Sequence, residues 1–154
     1  MNFKGKMILF IATGGYVGKI PFAPGTFGSV AGVLVCFFLS RISVSLAAVF
    51  TIALILSAVW VSEHAERILG KKDPGCVVID EVAGMAVTLI GLPFNALMVC
   101  AGFVLFRLLD ILKPPPVRTF QENLAGGTGI VMDDVAAGVI GNILLRFICL
   151  FIGA

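Results

Sequence analysis

The chain has 154 residues, of which 59% are hydrophobic and only 13% are charged. Soluble domains are about half apolar and a quarter charged, so this composition excludes an ordinary soluble domain and indicates a single membrane domain over residues 1–154. The formal net charge of +2 is too small to indicate a nucleic-acid partner, and the sequence has no nucleic-acid-binding signature.

The N-terminal region is predicted to lie on the membrane surface. Lys4 and Lys6 precede a short apolar segment, Met7–Ala12, and no clear small-residue cleavage site follows this segment. We therefore interpret it as a retained surface segment and not as a signal peptide.

Four apolar stretches follow, and each is predicted to be helical because a chain inside hydrocarbon must satisfy its own backbone hydrogen bonds. They are Val30–Leu39, Ile42–Val61, Val82–Leu109 and Val135–Ile152. The second is uncharged and about 20 residues long, enough for a ~30 Å hydrocarbon core. The third contains a turn signal at Gly91–Asn95, which predicts a hairpin with short or re-entrant arms. The expected fold is an all-α, polytopic membrane helical bundle.

Three polar connections separate these stretches: Thr13–Ser29, Ser62–Glu81 and Asp110–Asp134. If they share one side of the membrane, that side holds nine of the 11 basic residues, with Arg41 and Arg146 excepted. The nine are Lys4, Lys6, Lys19, Arg67, Lys71, Lys72, Arg107, Lys113 and Arg118. The positive-inside rule then makes this side cytoplasmic.

Five acidic residues at the margins of the apolar helices carry the functional argument. They are Asp80, Glu81, Asp110, Asp133 and Asp134. Helix capping accounts for one acid at a helix start, but not for two adjacent acids at each of two predicted starts. Acids near hydrocarbon are usually functional, and a site made only of oxygen ligands favours Mg²⁺. We predict that all five meet at one Mg²⁺ site, where the attacking group is either a water or an Asp carboxylate.

Basic residues near Asp110 suggest how a phosphate group is held. Arg107, Asp110 and Lys113 are spaced three apart and share one stripe of a helix. This stripe is either an ion-paired helix end with snorkelling cations or a phosphate clamp formed by Arg107 and Lys113 beside a metal-binding Asp110.

Two glycine-rich segments and the single histidine complete the candidate residues. In the segment Pro21–Ser29, glycines such as Gly25 would let backbone N–H groups approach a phosphate. A helix starting near Thr26–Ser29 would direct its positive end at the same group. Most such segments are only turns. Gly126–Gly129 is predicted to be a flexible hinge before the second acidic pair. His64 could hold a proton or a phosphate oxygen, although a lone histidine is more often structural.

Four sequence blocks resemble the phosphatidylglycerophosphatase A family. They are PFAPGTFGS at 21–29, IDEVAGM at 79–85, FRLLDILKPPPVR at 106–118 and GGTGIVMDDVAAG at 126–138. The resemblance implies an all-helical enzyme of the bacterial inner membrane that hydrolyses phosphatidylglycerophosphate with Mg²⁺ at the cytoplasmic face. It places the family's acidic motifs on the five acids above, and its phosphate-side residues on Thr26, Ser29 and Lys113.

The resulting assignment distributes three roles among the candidate residues. The metal ligands are expected to be Asp80, Glu81, Asp110, Asp133 and Asp134. The catalytic residues are expected to be Asp80, Asp134, Lys113 and His64. The substrate-binding residues are expected to be Gly25, Thr26, Ser29, Arg107 and Lys113. The substrate is expected to be a phospholipid in the bilayer, and a homo-oligomer is left open. The alternatives are a small transporter or ion-binding subunit, and a phosphatase of another lipid phosphate.

Overall fold

The computed structural model describes residues 2–152, and its secondary structure within this range is helical, with no strand. The α-helices are α1 Phe3–Ala12, α2 Pro24–Leu39, α3 Val44–Leu69, α4 Ile79–Leu89, α5 Ala96–Leu112, α6 Val117–Asn123 and α7 Gly126–Ile152, and a 3-10 turn covers Val17–Lys19. The predicted all-α fold is confirmed. Met1, Gly153 and Ala154, which complete the predicted domain 1–154, lie outside the described residues.

Helices α3 and α7 are long and apolar enough to cross a membrane. They have 26 and 27 residues, or roughly 39 and 40 Å at 1.5 Å per residue. An 18-residue apolar segment within each helix has a mean hydropathy of 2.4 in α3 and 1.8 in α7. Much of the apolar surface of α3 faces outward, with Val49 61% and Leu56 66% exposed. Such a surface is stable against lipid and would be a liability in water. The chain is therefore a helical membrane protein.

The predicted hairpin is present, with α4 and α5 as its arms. Gly91 adopts a left-handed backbone conformation with φ +69° in the turn, which glycine reaches without steric cost. Asn95 then caps α5, because its Oδ1 accepts a hydrogen bond of 2.9 Å from the N–H of Met98. Helix α4 has only 11 residues, or about 16 Å, so this arm reaches about halfway across a hydrocarbon core.

Parts of the three predicted polar connections are helical instead. Helix α2 begins at Pro24, in a first-turn position that suits proline, and α3 continues through Ser62 until the left-handed Gly70 ends it. Helix α7 begins at Gly126, so Asp133 and Asp134 lie in its third turn and do not open it as predicted. The apolar pattern located the apolar portions of these helices, but the helices continue into the polar segments beside them.

The predicted hinge at Gly126–Gly129 is wrong, because these residues form the first turn of α7. The backbone N–H of Gly127 donates a hydrogen bond of 2.6 Å to Glu63 Oε2 on α3, which caps the start of α7. A Cβ at Gly127 would overlap the Val59 carbonyl oxygen and lie 2.6 Å from the Glu63 nitrogen. The glycine therefore allows α3 and α7 to pack closely at this point.

The connectivity gives the bundle two chemically different ends. The starts of α2, α4 and α7 and the ends of α3 and α5 form one end, which we call the acidic end. The α2–α3 and α4–α5 turns form the other, which we call the far end. The acidic end holds all nine acidic residues of the chain: Glu63, Glu66, Asp73, Asp80, Glu81, Asp110, Glu122, Asp133 and Asp134.

Candidate active site

The first two acids of the site lie in the first turn of α4. Val78 precedes the helix, and its backbone N–H bonds to the Ala12 carbonyl at 2.9 Å, which fixes the start of α4 against the end of α1. Asp80 and Glu81 follow directly and therefore lie at the positive end of the helix dipole. Asp80 is buried, at 8% exposure.

Close packing of α4 against α7 brings the second acidic pair to the same place. A Cβ at Gly84 would lie 2.8 Å from the Asp134 carbonyl oxygen, and one at Gly138 would lie 2.5 Å from the Gly84 carbonyl oxygen. Only glycine at both positions permits this backbone approach. Asp133 and Asp134 are thereby held beside the start of α4, and both are buried.

Three carboxyl groups meet closely enough to share a cation. One carboxylate oxygen from each of Asp80, Glu81 and Asp134 lies within 4.8 Å of the others. Asp80 Oδ1 and Glu81 Oε2 are buried and have no hydrogen-bond partner among the described residues. Buried, unpaired carboxylate oxygens are costly, and a hard divalent cation would satisfy them. The residues therefore fit the predicted metal.

The remaining two acids line the same pocket but already have cationic partners. The pocket has a volume of about 190 Å³, and all five predicted metal ligands and Lys113 line it. Arg107 pairs with Asp110 one turn along α5, and Lys113 Nζ donates to Asp133 Oδ2 at 2.6 Å. The five acids thus divide into an unpartnered group of three and two that are ion-paired.

Burial and mutual repulsion control the ionisation of this site. Burial raises the pKa of Asp80 well above its ordinary value, and the charges of Glu81 and Asp134 raise it further. Burial, together with the charge of Asp110, also raises the pKa of Glu81. Burial alone would lower the pKa of Lys113, but its hydrogen bond to Asp133 and the surrounding carboxylates outweigh burial and raise it. In the absence of a cation, Asp80 and Glu81 therefore keep their protons to a higher pH than free carboxyl groups do.

The start of α2 closes one side of the acidic group. A Cβ at Gly25 would overlap Glu81 Oε1 and lie 3.1 Å from Arg107 Nη1, so the absence of a side chain leaves space there. Ser29 is fully buried, and its hydroxyl donates to the Gly25 carbonyl at 2.9 Å. Thr26 is half-buried. None of these three predicted substrate-binding residues lines the pocket, and neither does Arg107. Gly25 and Arg107 nevertheless lie beside the acidic group, because Gly25 packs against Glu81 and Arg107.

His64 lies on α3 and does not line the pocket. Its Nδ1 is 2.7 Å from the Trp60 carbonyl oxygen, and its ring lies over the Trp60 ring with centroids 4.1 Å apart. These contacts are local to one helix. The structure therefore does not bring the histidine to the acids with which it was predicted to act.

The pocket also includes residues that the sequence interpretation did not select. Asp73 and Gly75 line it from the loop between α3 and α4, and Asp73 has a left-handed backbone with φ +46°. A strained non-glycine residue at a pocket is a recognised mark of functional sites. The Asp73-Pro74-Gly75 turn signal was visible in the sequence, but it gave no reason to place the turn beside α7.

Comparison with known proteins gives consistent matches over most of the chain. Residues 10–149 match the family model described as Phosphatidylglycerophosphatase A. The chain is 39% identical over 139 residues to Phosphatidylglycerophosphatase A of Escherichia coli strain K12, covering 90% of this chain and 81% of that protein. It is 37% identical over 140 residues to Phosphatidylglycerophosphatase A of Haemophilus influenzae, covering 90% and 86%.

A third relative has a different name. The chain is 37% identical over 145 residues to a Bacteroides thetaiotaomicron protein named "Putative phosphatidylinositol-3-phosphatase", covering 89% of this chain and 90% of that protein. No solved structure matches this chain. The family resemblance expected from the motif blocks is confirmed by the family model and by the E. coli and H. influenzae relatives.

Proposed function

The chain belongs to the phosphatidylglycerophosphatase A family and is a phosphatase, and we propose that it hydrolyses phosphatidylglycerophosphate to phosphatidylglycerol and inorganic phosphate with Mg²⁺ as its cofactor. The observation that carries this proposal is the group of three carboxyl groups, Asp80, Glu81 and Asp134, with two buried oxygens that lack partners. A divalent cation would satisfy these oxygens, and a phosphate monoester would complete the coordination shell of the cation.

Asp80, Glu81 and Asp134 would hold the Mg²⁺. When bound, Mg²⁺ neutralises negative charge on the phosphate and favours ionisation of an attacking water. The chain contributes the ligand oxygens and a small pocket lined by the buried carboxyl groups of Asp80, Asp133 and Asp134. Charge stabilisation is stronger in such a site than in open solvent.

Arg107 and Lys113 would bind the non-bridging phosphate oxygens. Arg107 Nε is buried and has no hydrogen-bond partner in the described part of the chain, so this donor is free to bind a ligand. Another nitrogen of the same guanidinium forms an ion pair with Asp110. Lys113 reaches the pocket through its ion pair with Asp133. We therefore assign Asp110 and Asp133 as positioning residues that orient the two cations toward the phosphate.

The reaction transfers one phosphoryl group to water. An oxygen nucleophile attacks phosphorus, the bond from phosphorus to the glycerol oxygen breaks, and that oxygen takes up a proton to give the lipid alcohol. The nucleophile is a water or the carboxylate of one of the acids, and the second route passes through a phosphoprotein. Acid quenching with hydroxylamine distinguishes the two, because only an acyl phosphate gives a trapped hydroxamate.

The distribution of charge supports a bacterial inner-membrane, multi-pass protein with its site facing the cytoplasm. Nine of the 11 basic residues lie in or next to the three polar connections, and Arg41 and Arg146 are the exceptions. A cysteine placed at Lys72, labelled by an impermeant thiol reagent in inverted but not in right-side-out vesicles, tests this orientation. The position of the acids at one end, and not along an ion path at mid-membrane, favours hydrolysis over transport.

Phosphate release from purified protein in mixed micelles tests the substrate. We expect turnover of phosphatidylglycerophosphate that EDTA abolishes and Mg²⁺ restores, with little turnover of phosphatidic acid. Phosphatidylinositol 3-phosphate is included because of the name of the Bacteroides relative. Higher kcat/KM for the inositol lipid would replace the proposed substrate while retaining the site chemistry. Unchanged release in EDTA would refute the Mg²⁺ assignment.

A further inference from the structure

A second cavity lies at the far end of the bundle, away from the acidic pocket. It has a volume of about 310 Å³ and is enclosed by the α2–α3 turn, the start of α3 and the α4–α5 turn. Its walls are mainly apolar and include Leu39, Ala47, Leu89 and Phe94. The two cavities share no lining residue among those described, so they are separate sites.

The depth of the cavity places its mouth in the opposite leaflet. Helix α4 rises only about 16 Å from its start beside the acidic pocket, which is about half of a ~30 Å hydrocarbon core. The cavity opens at the last residue of this helix, Leu89, and at Ile90, which follows the helix. Helix α3, which is long enough to cross the membrane, begins at this level, because Val44 and Ala47 line the cavity, and α7 continues past it. The space beyond α4 is therefore accessible to acyl chains of the leaflet opposite the acidic pocket.

The rim of the cavity is cationic. Arg146 donates to the carbonyl oxygen of Ile90, a lining residue, at 3.2 Å. Arg41 lies in the α2–α3 turn between two lining residues, and its guanidinium lies 4.6 Å from the centre of the Phe37 ring. Because every acidic residue is at the acidic end, no carboxylate offsets these two charges.

Helix dipoles do not supply a competing charge at this rim. The starts of α3 and α5 and the ends of α2 and α4 all meet at the far end, so their partial charges largely cancel. The α4 end is also covered, because Asn142 Nδ2 donates to the carbonyl oxygens of Thr88 at 2.9 Å and Ile90 at 3.0 Å. The side chains that carry a formal charge at this rim are the two arginines.

We propose that the far-end cavity binds one anionic phospholipid of the leaflet opposite the acidic pocket. An acyl chain occupies the apolar cavity, and the lipid phosphate contacts Arg41 and Arg146. Arginine near a membrane surface attracts anionic lipids, and its aliphatic stem allows the guanidinium to reach the head-group level. This inference rests on the cavity and its rim and does not depend on the proposed phosphatase substrate.

Native mass spectrometry of the purified full chain tests the proposal. The protein is delipidated in detergent and titrated with phosphatidylglycerol or with phosphatidylcholine of the same acyl composition. We expect tighter retention of phosphatidylglycerol, and a loss of about fivefold in that preference for each arginine removed in Arg41→Gln and Arg146→Gln. Arg118→Gln, which removes an exposed arginine at the acidic end, is the matched control and should retain the preference.

A second variant tests the cavity itself. Ala47 lines the cavity and is 5% exposed, so Ala47→Phe should fill it and abolish retention of the tightly held lipid. Asp134→Asn should retain that lipid, because the acidic pocket is a separate site. Equal retention of the two lipids by the unaltered protein, or an unchanged preference in the Arg41→Gln/Arg146→Gln protein, would overturn the proposal. If Ala47→Phe does not fold, the lipid preference of Arg41→Gln alone decides whether the proposal holds. Arg41 is exposed and lies in a turn, so this substitution should not prevent folding.

Discussion

Lys113 donates a hydrogen bond of 2.6 Å to Asp133, and this ion pair ties the end of α5 to the third turn of α7. Lys113 adopts a left-handed backbone conformation, with φ +43°, as it ends α5. For a residue other than glycine, this conformation is less stable than the right-handed one by about 1–2 kcal/mol. The resulting turn places Lys113 in the wall of the acidic pocket, opposite an acid 20 positions later in the chain.

A double-mutant cycle should separate the structural role of this pair from its catalytic role. In Lys113→Gln the Asp133 carboxylate remains buried without its partner, so stability should fall, and adding Asp133→Asn should recover part of the loss. We expect a coupling energy of about 1–3 kcal/mol in the free energy of unfolding. Phosphatase activity should not recover in the double variant, because the phosphate still lacks the Lys113 donor.

The matched control for that cycle is the exposed pair of Arg118 and Glu122, whose side chains are 69% and 58% exposed. Its coupling should stay within about 1 kcal/mol, as is usual for surface pairs. Full recovery of activity by Lys113→Gln/Asp133→Asn would remove Lys113 from the phosphate clamp and leave it only a structural role.

Removing a carboxylate from the group of three should abolish activity without unfolding the protein. Asp80→Asn or Asp134→Asn should lower kcat/KM by about 100-fold or more, because each removes a charged ligand from the proposed Mg²⁺ site. Metal-free Asp80→Asn should be at least as stable as the unaltered protein, because burial and neighbouring charge already disfavour the Asp80 carboxylate. Phosphate release and thermal unfolding measure the two effects.

The control is Glu122→Gln, at an exposed ion pair, which should retain activity. A fully active Asp80→Asn/Asp134→Asn protein would show that this group of acids is not the active site.

The sequence was sufficient to predict the membrane class, the hairpin at Gly91–Asn95 and the five acids that line one pocket, because hydropathy, turn residues and acids beside hydrocarbon are local signals. It was not sufficient to show that only three of these acids lie close enough to share a cation. It was not sufficient to locate Asp133 and Asp134 within α7, because Gly126–Gly129 has the composition of a loop. The acceptor that caps this helix is Glu63, 64 positions away from Gly127. A glycine that serves close helix packing is indistinguishable in sequence from one that serves a turn.

The close approach of α3 and α7 can be tested at Gly127. Gly127→Ala would drive a methyl group into the Val59 carbonyl oxygen and the Glu63 backbone. We expect a loss of about 1–3 kcal/mol in the free energy of unfolding, as for other overpacked sites. Gly75→Ala is the matched control because a Cβ there meets nothing within 4 Å, and its stability should change by about 0.5 kcal/mol or less. Equal stability of the two variants would mean that the helices are not in close contact here.

Stabilisation by Mg²⁺ should increase with pH. Burial raises the pKa of Asp80 and Glu81 in the folded, metal-free protein, so the folded state holds protons more tightly than the unfolded chain. The resulting stability is greatest at low pH and is lost as pH rises toward the raised pKa values.

Because Mg²⁺ must displace these protons, its affinity should rise by up to about tenfold per pH unit for each proton released. Thermal unfolding with and without Mg²⁺, from about pH 5.5 to pH 8, should therefore show a shift that grows with pH, and the growth should be smaller in Asp80→Asn. A shift that does not vary with pH would mean that Mg²⁺ binds at carboxylates other than these.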